Sequence, residues 1–228
     1  MFSFLMRHKL GKRAALAALT VAMAWISGAL AQDPDWVELN HWQGNGIRQT
    51  QPFWLLGSSW VLKYQHSDGV SVDLYNLDGE KVGPVMESTG GTSGTAFRKG
   101  QGAHFLRVSG AGTWNVVSQV FVTPADKWQL SQLTGELKPP MKRLAVWTGE
   151  TGQEFYEPDL PPGRWRLVFT LEGAGAAEAV LKDAAGQVVF GTIQRQPGIA
   201  EGWGYKPGRY GLKVHAEDAS WKVELFGE

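Results

Sequence analysis

Along most of the chain, apolar side chains recur at alternate positions in short runs, which is the period of a strand half-buried against a core. In Trp60-Val61-Leu62-Lys63-Tyr64 the alternating set is Trp60, Leu62 and Tyr64, and in Trp165-Arg166-Leu167-Val168-Phe169 it is Trp165, Leu167 and Phe169. The same spacing returns in Leu106-x-Val108 with Trp114-x-Val116, and in Leu212-x-Val214 with Trp221-x-Val223. These residues are expected to face inward. Asp78-Gly79 interrupts the run from Leu74 to Val82, and Ala185-Gly186 interrupts the run from Leu181 to Val189. Both read as hairpin turns, where glycine tolerates positive φ. Long amphipathic helices are not expected: the best helical candidate, Ala174 to Lys182, is interrupted by glycine and aligns with a strand elsewhere in the chain.

Shifting the chain against itself by a little over a hundred residues aligns four groups of residues. Leu39-x-x-Trp42-x-Gly44 falls on Leu144-x-x-Trp147-x-Gly149, Trp60 on Trp165, and the two hairpins on each other. Gly102-x-His104-x-Leu106-x-Val108 with Trp114 falls on Gly208-x-Tyr210-x-Leu212-x-Val214 with Trp221. Tryptophan is rare, so three indole coincidences in one order point to an internal duplication. The expected fold is all-β: two tandem β-sandwich domains, jelly-roll or immunoglobulin-like, at residues 32–122 and 141–228. Residues 123–140, with Pro124, Pro139 and Pro140, form the connector, and its Trp128 and Leu130 are expected to pack against a sandwich.

The first 31 residues read as a signal peptide: a basic stretch (Arg7, Lys9, Lys12, Arg13), an apolar run from Ala14 to Ile26, then small residues at Ala29 and Ala31. The run is shorter than the ~20 residues a spanning helix needs, so the chain is not expected to be an integral membrane protein after cleavage. Its expected location is the periplasm, the cell envelope or outside the cell. Removing the leader leaves 18 basic residues against 22 acidic ones. That balance argues against nucleic acid as a partner, because phosphate binding needs clustered positive charge. The chain contains no cysteine. Disulfides, thiol chemistry and lipid attachment at an N-terminal cysteine are therefore excluded.

The closing pattern of each copy, Gly-x-aromatic-x-Leu-x-Val followed by Trp-x-Val, resembles the last strands of pre-peptidase C-terminal-like sandwiches on secreted bacterial proteins. The resemblance covers those closing strands and implies a secreted β-sandwich serving as a non-catalytic accessory module.

No Gly-x-Ser-x-Gly, His-Glu-x-x-His, Gly-x-x-x-x-Gly-Lys or helix-opening Gly-x-Gly-x-x-Gly motif occurs. Four histidines lie beyond the leader: His41, His66, His104 and His215. A histidine-liganded copper or zinc site would draw first on His41 and His104, which occur in the first copy alone, giving a second reading as a superoxide-dismutase-like copper oxidoreductase with divergent ligands. The closely spaced His-x-His pair of those enzymes is missing, and the leading expectation is no cofactor. Asn76-x-Asp78-Gly79-Glu80 resembles a fragment of a calcium loop but reads as a hairpin turn, and Glu154 and Glu157 read as solvated.

Trp36, Trp54, Trp128 and Trp203 have no tryptophan counterpart in the other copy. Exposed indoles stack on sugars or dock on proteins. Trp203, between Gly202 and Gly204 with Tyr205 close by, reads as an aromatic at a loop rim. The candidate ligand-binding residues are thus Trp203, Tyr205, Trp54 and Trp36. The functional expectation is an exported, non-catalytic accessory or structural protein whose partner is another cell-envelope protein or a surface glycan.

Overall fold

The computed structural model describes residues 36–90, 92–137 and 140–228, so the expected signal peptide lies outside the described residues. The alternating runs become strands. The first part of the chain contributes β1 (Trp36–Gln49), β2 (Phe53–His66), β3 (Val70–Asn76), β4 (Lys81–Ser88) and the 30-residue β5 (Thr92–Phe121). Helix α1 (Pro124–Glu136) follows. The second part contributes β6 (Lys142–Gly149), β7 (Gly152–Tyr156), β8 (Asp159–Leu160), β9 (Trp165–Glu172) and β10 (Ala176–Lys182). It ends with β11 (Val188–Gln194), β12 (Gly198–Gly204), β13 (Gly208–Arg209), β14 (Gly211–Glu217) and β15 (Ser220–Gly227).

In the second part, one sheet has the order β6-β15-β9-β12 and the facing strands run β7-β14-β10-β11. In the first part, β1 and β5 are long and bend, so that different stretches of each serve different sheets. Residues 36–45 lie beside 113–120, which lie beside 60–66 of β2, which in turn lie beside 92–98. Along β2 and β5 residue numbers run in opposite senses, with Phe53 opposite His104 and Leu56 opposite Gln101. Residues 46–49 lie beside 107–110, then β3, then β4. Counting eight strand stretches in chain order within each part, both parts read 1-8-3-6 in one sheet and 2-7-4-5 in the other. That is the strand order of a jelly roll, not of an immunoglobulin domain.

Each part has its own core. Phe53, Trp60, Leu62, Leu106, Val108, Trp114 and Val116 fill the first, and Trp165, Leu167, Phe169, Leu212, Val214, Trp221 and Val223 fill the second. The inward set expected from alternation is buried throughout, except that Tyr64 is half-buried against the first core. Buried indoles usually find acceptors for their N–H groups. Trp114 donates to the Gly46 carbonyl and Trp221 to the Glu150 carbonyl, both at 3.2 Å. Gly44 stands opposite Trp114 and Gly149 opposite Trp221 on the neighbouring strand. A Cβ at Gly149 would lie 2.5 Å from the Trp221 ring. At Gly44 the obstacle is Arg48, whose Cζ would lie 2.7 Å from an added Cβ and which itself lies over the Trp114 ring.

The two hairpins match in detail. Gly79 and Gly186 both have φ of +77°. Gly79 N–H donates to the Asn76 carbonyl at 3.1 Å and Gly186 N–H to the Asp183 carbonyl at 2.9 Å. Asn76 Oδ1 accepts from Glu80 N–H, as Asp183 Oδ1 does from Gln187 N–H. The calcium-like fragment is therefore a side-chain-braced turn.

Helix α1 departs from the sequence reading. Its apolar residues do not gather on one face, so periodicity gives no sign of it. Its start is nevertheless written in Thr123-Pro124-x-Asp126. Thr123 Oγ1 accepts from Asp126 N–H, Asp126 Oδ2 accepts from Thr123 N–H at 3.0 Å, and Pro124 sits where no donor is needed. Hydrogen bonds from Thr123 hold the Asp126 carboxyl below its usual range. Leu130 joins the first core as expected, whereas Trp128 is 70% exposed and does not pack. Among the described residues no helix is long and apolar enough to cross a membrane.

Trp114 is 3% exposed and Trp221 2%, each with a satisfied indole N–H. Trp114→Ala or Trp221→Ala should each lower stability by about 3–5 kcal/mol. Thermal or denaturant unfolding checks this, and an unchanged midpoint for either variant would contradict the packing described.

Candidate functional site at the junction of the two sandwiches

The two parts meet edge to edge. β1 pairs with β11 through Ile47 opposite Gly191, and this joins the five strands of the first part with β7, β10, β11 and β14 of the second into one nine-stranded sheet. The approach is close: a Cβ on Gly46, whose φ is +70°, would lie 2.2 Å from the Gly191 carbonyl oxygen. Around this pair, side chains stitch the backbones together. Thr192 Oγ1 donates to Asn45 Oδ1 at 2.7 Å, Asn45 Nδ2 donates to the Ile193 carbonyl, and Arg107 donates to the Val188 carbonyl at 2.9 Å. Arg48 reaches Thr192 Oγ1 at 3.3 Å and lies over the Trp114 ring. Burial pushes the Arg48 guanidinium down to about 10, with the Glu201 charge opposing.

Tyr205 closes the seam. Its ring stacks on Phe105 with centroids 3.9 Å apart, and its hydroxyl donates to the Thr50 carbonyl at 2.7 Å. Tyr75 also stacks on Phe105, with centroids 5.3 Å apart. Burial pushes the Tyr205 hydroxyl well above its usual value, with Arg164 opposing and Glu228 adding, so it remains a donor.

Beside this seam opens a groove of about 740 Å³ to which both parts contribute: Asn45 and Thr113 from the first, Glu178, Val180, Ile193 and Ile199 from the second. Ile199 is 69% exposed and Ile193 52%. The groove combines amide, hydroxyl and carboxylate groups with exposed aliphatic surface, which suits an extended partner that offers both polar and apolar groups.

Ile199, Glu201 and Trp203 alternate along β12, and Arg166 of β9 lies opposite Trp203. The Arg166 guanidinium sits 5.8 Å from the Trp203 ring and 5.0 Å from the Phe226 ring, an aromatic-cation-aromatic row across the sheet. The groove and this row thus share one edge strand.

The sequence candidates fall as follows. Trp203 is half-buried in a strand, not at a loop rim. Its glycine neighbours serve the core: a Cβ at Gly202 would lie 2.5 Å from Phe190 and one at Gly204 1.9 Å from the Trp165 ring. Tyr205, expected to bind ligand, is 8% exposed and holds the seam instead. Trp54 is half-buried against the first core. Trp36 packs edge-on against Phe121 with centroids 5.8 Å apart. The structure does not bring these four together.

His41 Nε2 lies 2.6 Å from Asn115 Oδ1, whereas His104 is buried with Nδ1 3.0 Å from the Gly102 carbonyl. Among the described residues no three His, Cys, Asp or Glu stand close enough to hold a metal ion. Glu157 is exposed and 4.0 Å from Arg209, and Glu154 is exposed on β7. Sequence reasoning missed Arg166, Ile193 and Ile199. The available signal was Arg166 itself, a charge standing where the aligned run of the first part has Val61.

No family model and no curated protein matches the chain. Among solved structures, the PBSX exported protein XepA is 12% identical over 84% of this chain and 85% of that chain, with a TM-score of 0.30. Procruciferin, an 11S globulin from Brassica napus, is 7% identical over 82% and 75%, with a TM-score of 0.27. A Bacillus subtilis oxalate decarboxylase is 9% identical over 83% and 69%, with a TM-score of 0.21. At such low TM-scores none of the three carries an argument about this chain.

Tyr205→Phe should cost about 1 kcal/mol through the lost hydrogen bond, and Tyr205→Ala about 3–5 kcal/mol through the lost ring. The folded hydroxyl titrates above the unfolded value of about 10, so its contribution is complete below pH ~10 and is lost as pH rises further. Unfolding midpoints across alkaline pH should therefore fall less steeply in Tyr205→Phe than in the wild type. Equal slopes would contradict a buried, protonated Tyr205.

Proposed function

We propose that this chain is an exported, non-catalytic accessory protein of the cell envelope, built by internal duplication, that holds an envelope protein or a surface glycan on its junction face. Its two domains, residues 32–122 and 141–228, are joined by the connector 123–140. The duplication is supported by the identical strand order of the two parts and by their matching hairpins and indoles. Export is supported by the composition of the first 31 residues, and the accessory role by the resemblance of the closing strands to secreted sandwich modules.

The observation that carries the binding reading is the groove of about 740 Å³ shared by both parts, with Ile199 on its wall and Trp203 on the same strand and face. Tryptophan and arginine are among the residue types enriched where binding energy concentrates at interfaces. Of the sequence candidates, Trp203 is the one assigned to this surface, while Tyr205 packs at the seam against Phe105 and Thr50.

Trp203→Ala should leave the unfolding midpoint near that of the wild type and weaken binding about tenfold or more. Two measurements check it: capture of partners from native envelope extract, and quenching of tryptophan fluorescence on adding envelope polysaccharide. Quenching in the wild type that Trp203→Ala abolishes would favour a glycan. Equal binding by a folded Trp203→Ala protein would remove this surface from the reading.

A further inference from the structure

Along the run β4-β3-β5-β1-β11-β10-β14-β7 of the nine-stranded sheet, the outer ends are β4 and β7. They are counterparts of the two edges that meet inside the chain. Residues 46–49 hold the place in the first part that β7 holds in the second, and β11 holds the place of β4. The internal junction therefore joins unlike edges, and unlike edges of the same two kinds remain at the outer ends. A heterologous contact of this sort does not close on itself, and repeated between molecules it generates rings or open filaments. Unpaired strand edges are the usual template for such growth.

The β4 edge differs from its counterpart where the junction forms. Gly191 lies opposite Val180 and takes Ile47 on its other side. The corresponding residue of β4, opposite Asp73, is Pro84. Proline has no N–H to donate, and its ring occupies space that Gly191 leaves open to the neighbouring backbone. Pairing then skips from Asp73 opposite Pro84 to Val72 opposite Met86, so Val85 forms a bulge. Arg98 completes the change: its Nε donates to the Pro84 carbonyl at 3.3 Å and a terminal nitrogen donates to the Val85 carbonyl.

We propose that Pro84, the Val85 bulge and Arg98 form a cap that prevents a second copy of this chain from pairing its β7 edge with β4 and so repeating the internal junction between molecules. The cap leaves β7 open and β4 closed. This inference rests on the correspondence of strands and is independent of the ligand held at the groove.

The test is the mass of the full chain by sedimentation velocity across a wide concentration range, with circular dichroism to establish folding. The wild type should stay at one monomer mass throughout. Pro84→Thr with Arg98→Gln should rise with concentration to two monomer masses or more. Adding Gln153→Lys and Phe155→Lys, both on the exposed β7 edge, should return that protein to monomer. Should the paired variant fail to fold, Pro84→Thr alone should still show a concentration-dependent rise. Folded β4 variants that remain monomeric, a wild type that itself assembles, or assembly unaffected by the β7 lysines would overturn the proposal.

Discussion

The organisation depends on fitting indoles into thin two-sheet cores. An indole is wide enough to reach across the layer, so the strand facing or flanking it must give way. Gly204 yields to Trp165 and Gly149 to Trp221. Three of the core indoles also find an acceptor for the N–H at the margin of the core: Trp114 uses the Gly46 carbonyl, Trp165 the Lys206 carbonyl and Trp221 the Glu150 carbonyl, whereas the Trp60 N–H is buried without one. These acceptors lie where β1 bends, where the chain leaves β12, and between β6 and β7. Packing inside the cores therefore fixes the turns outside them.

Those turns bring the two parts together. Gly46, the acceptor for Trp114, is also the residue that approaches Gly191, so core and junction share one backbone position. On the other side, Lys206 accepts from Trp165, and its neighbour Tyr205 plugs the seam against Phe105 and Thr50. The groove is the space left beside this contact, and β12 carries both its Ile199 wall and the Trp203 row. The groove is lined by strands of both parts together with Arg195, Gln196 and Pro197 of the turn between β11 and β12.

The all-strand fold was legible because period-two alternation needs only neighbouring residues. Trp60-x-Leu62 and Trp165-x-Leu167 announce their inward faces without reference to the rest of the chain. The hairpins were legible for the same reason, through Asp78-Gly79 and Ala185-Gly186. The site was less so. Tyr205 looks like a ligand aromatic because phenol rings serve seams and surfaces equally well, and only the proximity of Phe105 and Thr50, residues distant in sequence, decides between them. The glycines around Trp203 suggested a loop, whereas they exist to clear Phe190 and Trp165 on the inward face. The pairing of Ile47 with Gly191 leaves no local pattern at all, since a single close contact between strands far apart in the chain has no period. Helix α1 was hidden because it lacks an apolar stripe, although its capping residues were in plain view.

Two separate indole-bearing cores are locked into one unit by the shared sheet and the Tyr205 seam. Scanning calorimetry of the full chain tests this coupling most directly. A single heat-absorption peak is expected, with a calorimetric enthalpy equal to its van't Hoff enthalpy, as for one cooperative unit. Two resolved transitions, each with the enthalpy of about half the chain, would contradict it.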